Sequence, residues 1–140
     1  MTDSHVHEFD LRVRYAETDR MGVVYYGNYL MYFEVARAEY MRDAGIPYSE
    51  MERRNVIMAV SEVYCRYRQP AFFDDVLLIR TWISEMSRVR VKFEHEIRRK
   101  ETGELLATGY ARLGCVTTEG RVQRLPEDLA EVLAARCVFT

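Results

Sequence analysis

Between Tyr15 and Tyr29 the chain reads Tyr15-Ala-Glu-Thr-Asp19-Arg-Met-Gly22-Val-Val-Tyr25-Tyr26-Gly27-Asn28-Tyr29, and this run holds the residues best suited to chemistry. A single aspartate, Asp19, stands in a connection that also contains Gly22 and Gly27. A helical pattern starts near Tyr29, which puts Asn28 at the expected N-cap, where a side-chain oxygen accepts from free N–H groups of the first turn. The positive end of the helix dipole then lies close to the loop carboxylate. A carboxylate facing unpaired N–H donors is equipped to attack a carbonyl while the donors stabilise the resulting oxyanion. The same residues also suit a plain turn, with Asp19 bonded to backbone and the glycines supplying unusual dihedrals.

The elements that must position this loop are legible from hydrophobic period. His7, Phe9, Leu11, Val13 and Tyr15 alternate with Glu8, Asp10, Arg12 and Arg14, which predicts a half-buried strand ahead of it. From Tyr29 to Ala44 the period becomes helical. Tyr29, Phe33, Ala36, Tyr40 and Ala44 form one stripe, and Leu30, Met31, Val35, Ala38 and Met41 carry apolar character around the other sides. Such a helix is expected to pack against more than one surface. Gly45 and Pro47 end it, and a short second helix is expected over residues 48–54.

Strand periods follow at Val63-Cys65-Tyr67, at Leu77-Ile79-Thr81-Ile83, at Val89-Val91-Phe93-His95-Ile97 and at Ala107-Gly109-Ala111-Leu113-Cys115. The small residues of the last predict close approach by another element, with the long helix as candidate. Pro126 is expected to open a short C-terminal helix. Strand, long helix and then four strands, without βα alternation, make an α+β class with an antiparallel sheet against one helix.

Composition narrows the function classes. A chain of 140 residues is about one domain. Its 49% hydrophobic residues, 30% charged residues and net charge of −2 exclude a disordered chain and argue against wholesale nucleic-acid binding. No apolar run is long enough for a membrane span, and the first residues carry no apolar signal segment. Three cysteines without a Cys-x-x-Cys pair predict a reducing, cytoplasmic setting and neither a disulfide framework nor a zinc site. His5 and His7 alone are a weak metal signal.

Asp19-x-x-Gly22-Val-Val-Tyr25-Tyr26-Gly27-Asn28-Tyr29-Leu30, followed by Tyr32-Phe33-Glu34-x-Ala36-Arg37, resembles the signature of hotdog-fold acyl-CoA thioesterases. The nearest branch is the 4-hydroxybenzoyl-CoA thioesterase-like group, including the acyl-CoA thioesterases associated with the Tol-Pal system. Tyr67-x-x-Pro70-Ala71 leading into Asp74-Asp75-Val76-Leu77 is similar to the same family, so the resemblance covers residues 11–117.

The resemblance implies a hotdog fold over residues 1–140, an antiparallel sheet curled around one long central helix. It implies hydrolysis of a short- to medium-chain aliphatic or aryl acyl-CoA to free acid and coenzyme A, without cofactor or metal. Asp19 would be the nucleophile or the general base. Backbone N–H groups near Tyr26 and Gly27 would hold the thioester oxygen, Gly22 would turn the loop, and Tyr25 and Asn28 would border the substrate. Ser87, Arg88 and Arg90 match a region that contacts coenzyme A phosphates in related enzymes, and guanidinium groups suit phosphates. An alternating basic strand equally suits a solvated sheet face. The family further implies a homodimer or homotetramer with the site at the seam. Asp19 and the helix start would come from one subunit, and residues around Val60–Glu62 and Ser87–Arg90 from its partner.

The chain departs from the pattern at one position, since many Tol-Pal relatives carry His where this sequence has Tyr26. Imidazole exchanges protons near neutral pH and a phenol does not, so Asp19 is left as the main acid–base group. Glu34 is expected either to reach the site or to pair with Arg37. Tyr25, Tyr26, Tyr29 and Tyr64 suit an aryl pocket or ordinary core packing. Two other functions fit the same residues: an acyl-thioester hydratase or dehydratase, disfavoured because the signature loop has no His, and a non-catalytic acyl-CoA-binding protein.

Overall fold

Along the chain lie β1 (His7–Arg12), α1 (Asn28–Asp43), α2 (Tyr48–Arg53), β2 (Ile57–Tyr67), β3 (Val76–Met86), β4 (Arg90–Arg99), β5 (Leu105–Val116) and α3 (Glu127–Arg136). The computed structural model describes residues 5–138. All strand pairs are antiparallel, in the spatial order β1-β3-β4-β5-β2. Together with α1 against its inner face, the sheet forms the hotdog arrangement.

The inner face is built from the alternating positions. Leu77, Ile79, Thr81 and Ile83 of β3 and Val91, Phe93, His95 and Ile97 of β4 are buried, as are Ala107, Ala111, Leu113 and Cys115 of β5. Tyr29, Tyr32, Phe33, Ala36, Arg37, Tyr40 and Met41 of α1 face them, spaced three and four apart as one side of a helix requires. Gly109 marks a close approach. A Cβ there would stand 2.6 Å from Phe33 Cε2 and 2.3 Å from the Tyr64 carbonyl oxygen, so only glycine fits between helix and sheet.

Three elements differ from the expectation. β1 stops at Arg12, because Val13 turns to donate its N–H to Asp75 O at 2.8 Å and a 3-10 turn occupies Tyr15–Glu17. β2 begins at Ile57, well before its alternation becomes visible, because it is an edge strand with little burial on either face. The side of α1 carrying Leu30 is exposed, and Val35 and Ala38 are half-buried. Val35 and Ala38 line a groove of about 430 Å³ that also includes Arg37, Tyr48 of α2 and Val60 of β2.

Candidate active site

Residues 18–24 form a tight antiparallel loop. Thr18 and Val24 pair across it, the Asp19 N–H donates to Val23 O at 2.8 Å, and the Gly22 N–H donates to Asp19 O at 3.0 Å. Gly22 has φ +79°, a left-handed conformation that side chains disfavour. Asp19 Oδ1 accepts the N–H of Met21 at 2.8 Å and that of Val23 at 3.4 Å. Among the described residues Oδ2 has no hydrogen-bond or ion-pair partner, and the side chain is exposed. One oxygen thus shapes the turn while the other is available. The second motif supplies the wall behind the loop: Val24 N–H donates to Ala71 O at 2.8 Å, and Val23 bridges Phe72.

The start of α1 corrects one expectation. Gly27, not Asn28, occupies the N-cap, and no side chain caps the helix. Asn28 is already helical, and its Nδ2 donates to Glu17 O at 2.9 Å. Its amide therefore fastens the helix start to the preceding turn and leaves the helix N–H groups uncapped. Asn28 N–H turns back to Tyr25 O at 2.9 Å, whereas among the described residues the N–H groups of Tyr26 and Gly27 donate to no acceptor. Two open donors at the positive end of a 16-residue helix are suited to an oxyanion.

Glu17, which sequence reasoning missed, ties the two halves together. Its backbone oxygen accepts from Tyr25 N–H and from Asn28 Nδ2, both at 2.9 Å. Its buried carboxylate accepts from Arg14 N–H, Arg14 Nε and Tyr32 Oη, each at 2.9 Å. Burial acts to raise the Glu17 pKa, but the hydrogen bonds from Arg14 and Tyr32 outweigh it and hold the carboxyl below its ordinary value. The available signal was its place two residues before Asp19 in the motif; the burial of a carboxylate there could be seen only in three dimensions.

An aromatic cluster borders the open donors. Tyr25 and Tyr26 lie with ring centroids 4.7 Å apart, and Tyr67 of β2 meets Tyr26 and Tyr29 edge-on at 6.3 and 4.9 Å. A groove of about 280 Å³ runs between Val24, Tyr26, Tyr29, Tyr67 and Pro70. Tyr64 is not part of it; it stacks on Tyr110 at 5.4 Å on the outer face of the sheet.

The remaining expected residues lie elsewhere. Ser87 and Arg88 fall in the β3–β4 turn and Arg90 opens β4. The Asp19 loop pairs with residues just before the start of β3, and Ser87 follows its end. Eleven strand residues separate the two, roughly 35 Å at the rise of a strand, so one chain does not bring them together. Ser87 Oγ accepts the N–H groups of Val89 and Arg90, each at 3.2 Å. Arg88 donates through Nε and Nη2 to the Leu125 carbonyl, a structural use of its guanidinium. The side chain of Arg90 has no partner among the described residues.

Arg37 does not form an ion pair with Glu34; it is 4% exposed and its Nη1 lies 3.3 Å from His95 Nε2. A guanidinium only donates, so Nε2 accepts and Nδ1 carries the hydrogen toward Thr81 Oγ1 at 3.0 Å. Burial first, and the Arg37 charge second, hold the His95 pKa well below its ordinary value. Neutral and 1% exposed, His95 is a satisfied core histidine.

Comparison with known proteins shows the family and the fold. Residues 13–133 match the family described as the thioesterase-like superfamily. The acyl-CoA thioesterase YbgC of Haemophilus influenzae is 32% identical over 109 residues, covering 77% of this chain and 79% of that protein. The crystal structure of a DHNA-CoA thioesterase from Staphylococcus aureus superimposes with a TM-score of 0.88 at 34% identity, covering 93% of this chain and 89% of that one. The structure of TT1821 from Thermus thermophilus gives 0.89 at 37% identity, covering 95% and 98%.

Proposed function

Because this chain belongs to the thioesterase-like superfamily, we propose that it hydrolyses acyl-CoA thioesters to a free acid and coenzyme A at the Asp19 loop. One observation carries the reading: an aspartate with a free oxygen and two open helix N–H groups are held on one frame by Glu17. The thioester oxygen accepts from the Tyr26 and Gly27 N–H groups, which draws electron density from the carbonyl carbon. Asp19 then acts in one of two ways. As nucleophile, Oδ2 bonds to that carbon and the coenzyme A thiolate leaves, and water afterwards cleaves the anhydride. As general base, Oδ2 takes a proton from water as the water oxygen bonds to that carbon; the C–S bond then breaks, and the departing coenzyme A thiolate takes up the proton. The groove lined by Tyr26, Tyr29 and Tyr67 suits short- to medium-chain aliphatic or aryl acyl groups.

The same reading places the working site at a seam between two copies. β2 is an edge strand, and the register puts Arg90 opposite Gly114 and Gly114 opposite Ala59. A second copy joined antiparallel along β2 would therefore bring its own Arg90 toward the Tyr67 end, where coenzyme A phosphates need a cation.

The test is release of free thiol from a panel of acyl-CoA substrates of graded length, aryl examples included. Thiol release establishes hydrolysis. Hydration of an enoyl thioester without thiol release would replace the proposal with a hydratase, and saturable binding without turnover would replace it with a carrier.

A further inference from the structure

We propose that Tyr67 is a positioning residue for the oxyanion site, holding the Tyr26–Gly27 peptide so that its N–H faces the thioester oxygen. The proposal rests on the thioesterase reading above and concerns one bond. Tyr67 Oη donates to Tyr26 O at 2.8 Å across 41 residues of chain. That carbonyl and the Gly27 N–H belong to the same planar peptide and point in opposite directions. Fixing the oxygen therefore fixes the direction of the open donor.

The helix alone fixes it poorly. The intrahelical partner of Tyr26 O is Tyr29 N–H at 3.3 Å, a long bond in an uncapped first turn. The residue following the peptide is glycine, which leaves the peptide plane free to rotate. A Cβ on Gly27 would stand 3.0 Å from the Tyr25 ring, so a larger residue there would press on the same aromatic cluster. Within the helix start the peptide that carries the oxyanion donor is held by one long bond, and its second hold comes from outside the helix.

Tyr67 is suited to give that hold. It ends β2 in register with Ala107, so its backbone is anchored in the sheet. Its ring is held edge-on against Tyr29 at 86° and Tyr26 at 90°. Burial, and then Cys65 beside it, push the phenol pKa up to about 12, so the hydroxyl remains a donor at every working pH. Donation to a carbonyl also polarises the peptide and strengthens its N–H as a donor.

Tyr67→Phe keeps the ring contacts and removes only the hydroxyl. We expect kcat to fall about tenfold, part of what losing a whole oxyanion donor costs, with KM within about twofold and an unchanged melting temperature. The second readout is spectroscopic. A coenzyme A ketone analogue, with the thioester sulfur replaced by a methylene, should show a carbonyl stretch lowered on binding the parent and shifted back toward the free value in Tyr67→Phe. A merely structural role for Tyr67 would leave that stretch unmoved. A variant that turns over within twofold of the parent, loses only KM, or leaves the stretch unchanged overturns the proposal while hydrolysis by the parent still stands. A parent that hydrolyses no thioester removes the thioesterase reading and the proposal with it.

Discussion

The two oxygens of Asp19 stand in different settings, Oδ1 bonded within the turn and Oδ2 unbonded among the described residues, and substitution separates them. In Asp19→Asn the side-chain carbonyl still accepts from Met21 and Val23, so the turn survives, but the amide nitrogen is neither nucleophile nor base. Turnover should fall by at least ~10²-fold with little change in melting temperature; a folded variant hydrolysing the panel at near-parental rates would remove Asp19 from the mechanism. Tyr26 makes the opposite case, because the proposed contribution of this residue is its N–H. Steady-state assay of Tyr26→Phe should recover most of the parental kcat, and a loss as large as that of Asp19→Asn would give the hydroxyl a direct part. At this scale the motif was informative about local geometry, as with the turn that Asp19 and Gly22 form. It misled at Asn28, because a cap assignment depends on where a helix begins to within one residue, and here the first turn starts at that position. Glu17 and Arg88 were not legible, since both are defined by partners distant in the sequence, Tyr32 and Leu125.

The elements that were read correctly, β3, β4 and β5, each bury one face, so period two is written into their residues. β2 buries little on either face, and its first residues gave no alternation to read. At Gly109 of β5 the chain is hemmed in by the Tyr64 carbonyl of β2 and by the Phe33 ring of α1. Gly109→Ala should destabilise by about 1–3 kcal/mol, as overpacking does, because backbone must move to relieve a contact of 2.3 Å; a urea midpoint equal to the parent's would disprove the close approach.

The same layer holds a pH-dependent term. His95 is held neutral between Phe33, Thr81 and Arg37, while the unfolded chain protonates it near its ordinary value of 6.5. A folded pKa below the unfolded one means that unfolding takes up a proton. The stabilisation is therefore complete above pH 6.5 and is lost as pH falls, with a slope of up to about 1.4 kcal/mol per pH unit. Glu17 and Glu96, held below their ordinary 4.5, add their own losses only under that pH. Denaturant midpoints should thus decline between pH 6.5 and 5, and a flat profile over that interval would mean that His95 is protonated in the fold.

For the whole molecule the two sheet edges are unequal, and the inequality predicts how copies associate. β1 is six residues long and turns Glu8, Asp10 and Arg12 outward, charges that discourage further strand pairing. β2 is eleven residues long and leaves Val60, Val63, Tyr64 and Tyr67 between 37% and 47% exposed. Its free edge would be the place for a second copy, since antiparallel pairing of a strand with itself generates the closed two-fold that most oligomers adopt. Each site would then combine Asp19 of one subunit with the partner's Arg90. Light scattering at assay concentration should report at least a dimer, and activity per chain should fall on dilution below its dissociation constant. Mixing distinguishes a shared site from mere association. Asp19→Asn and Arg90→Ala each damage both sites of their own dimer, but random exchange makes half the dimers mixed, each with one intact site. At subsaturating acyl-CoA the mixture should recover about a quarter of parental activity. A mixture no more active than the mean of its two variants would place Arg90 outside the site, and a fully active monomer would remove the seam altogether.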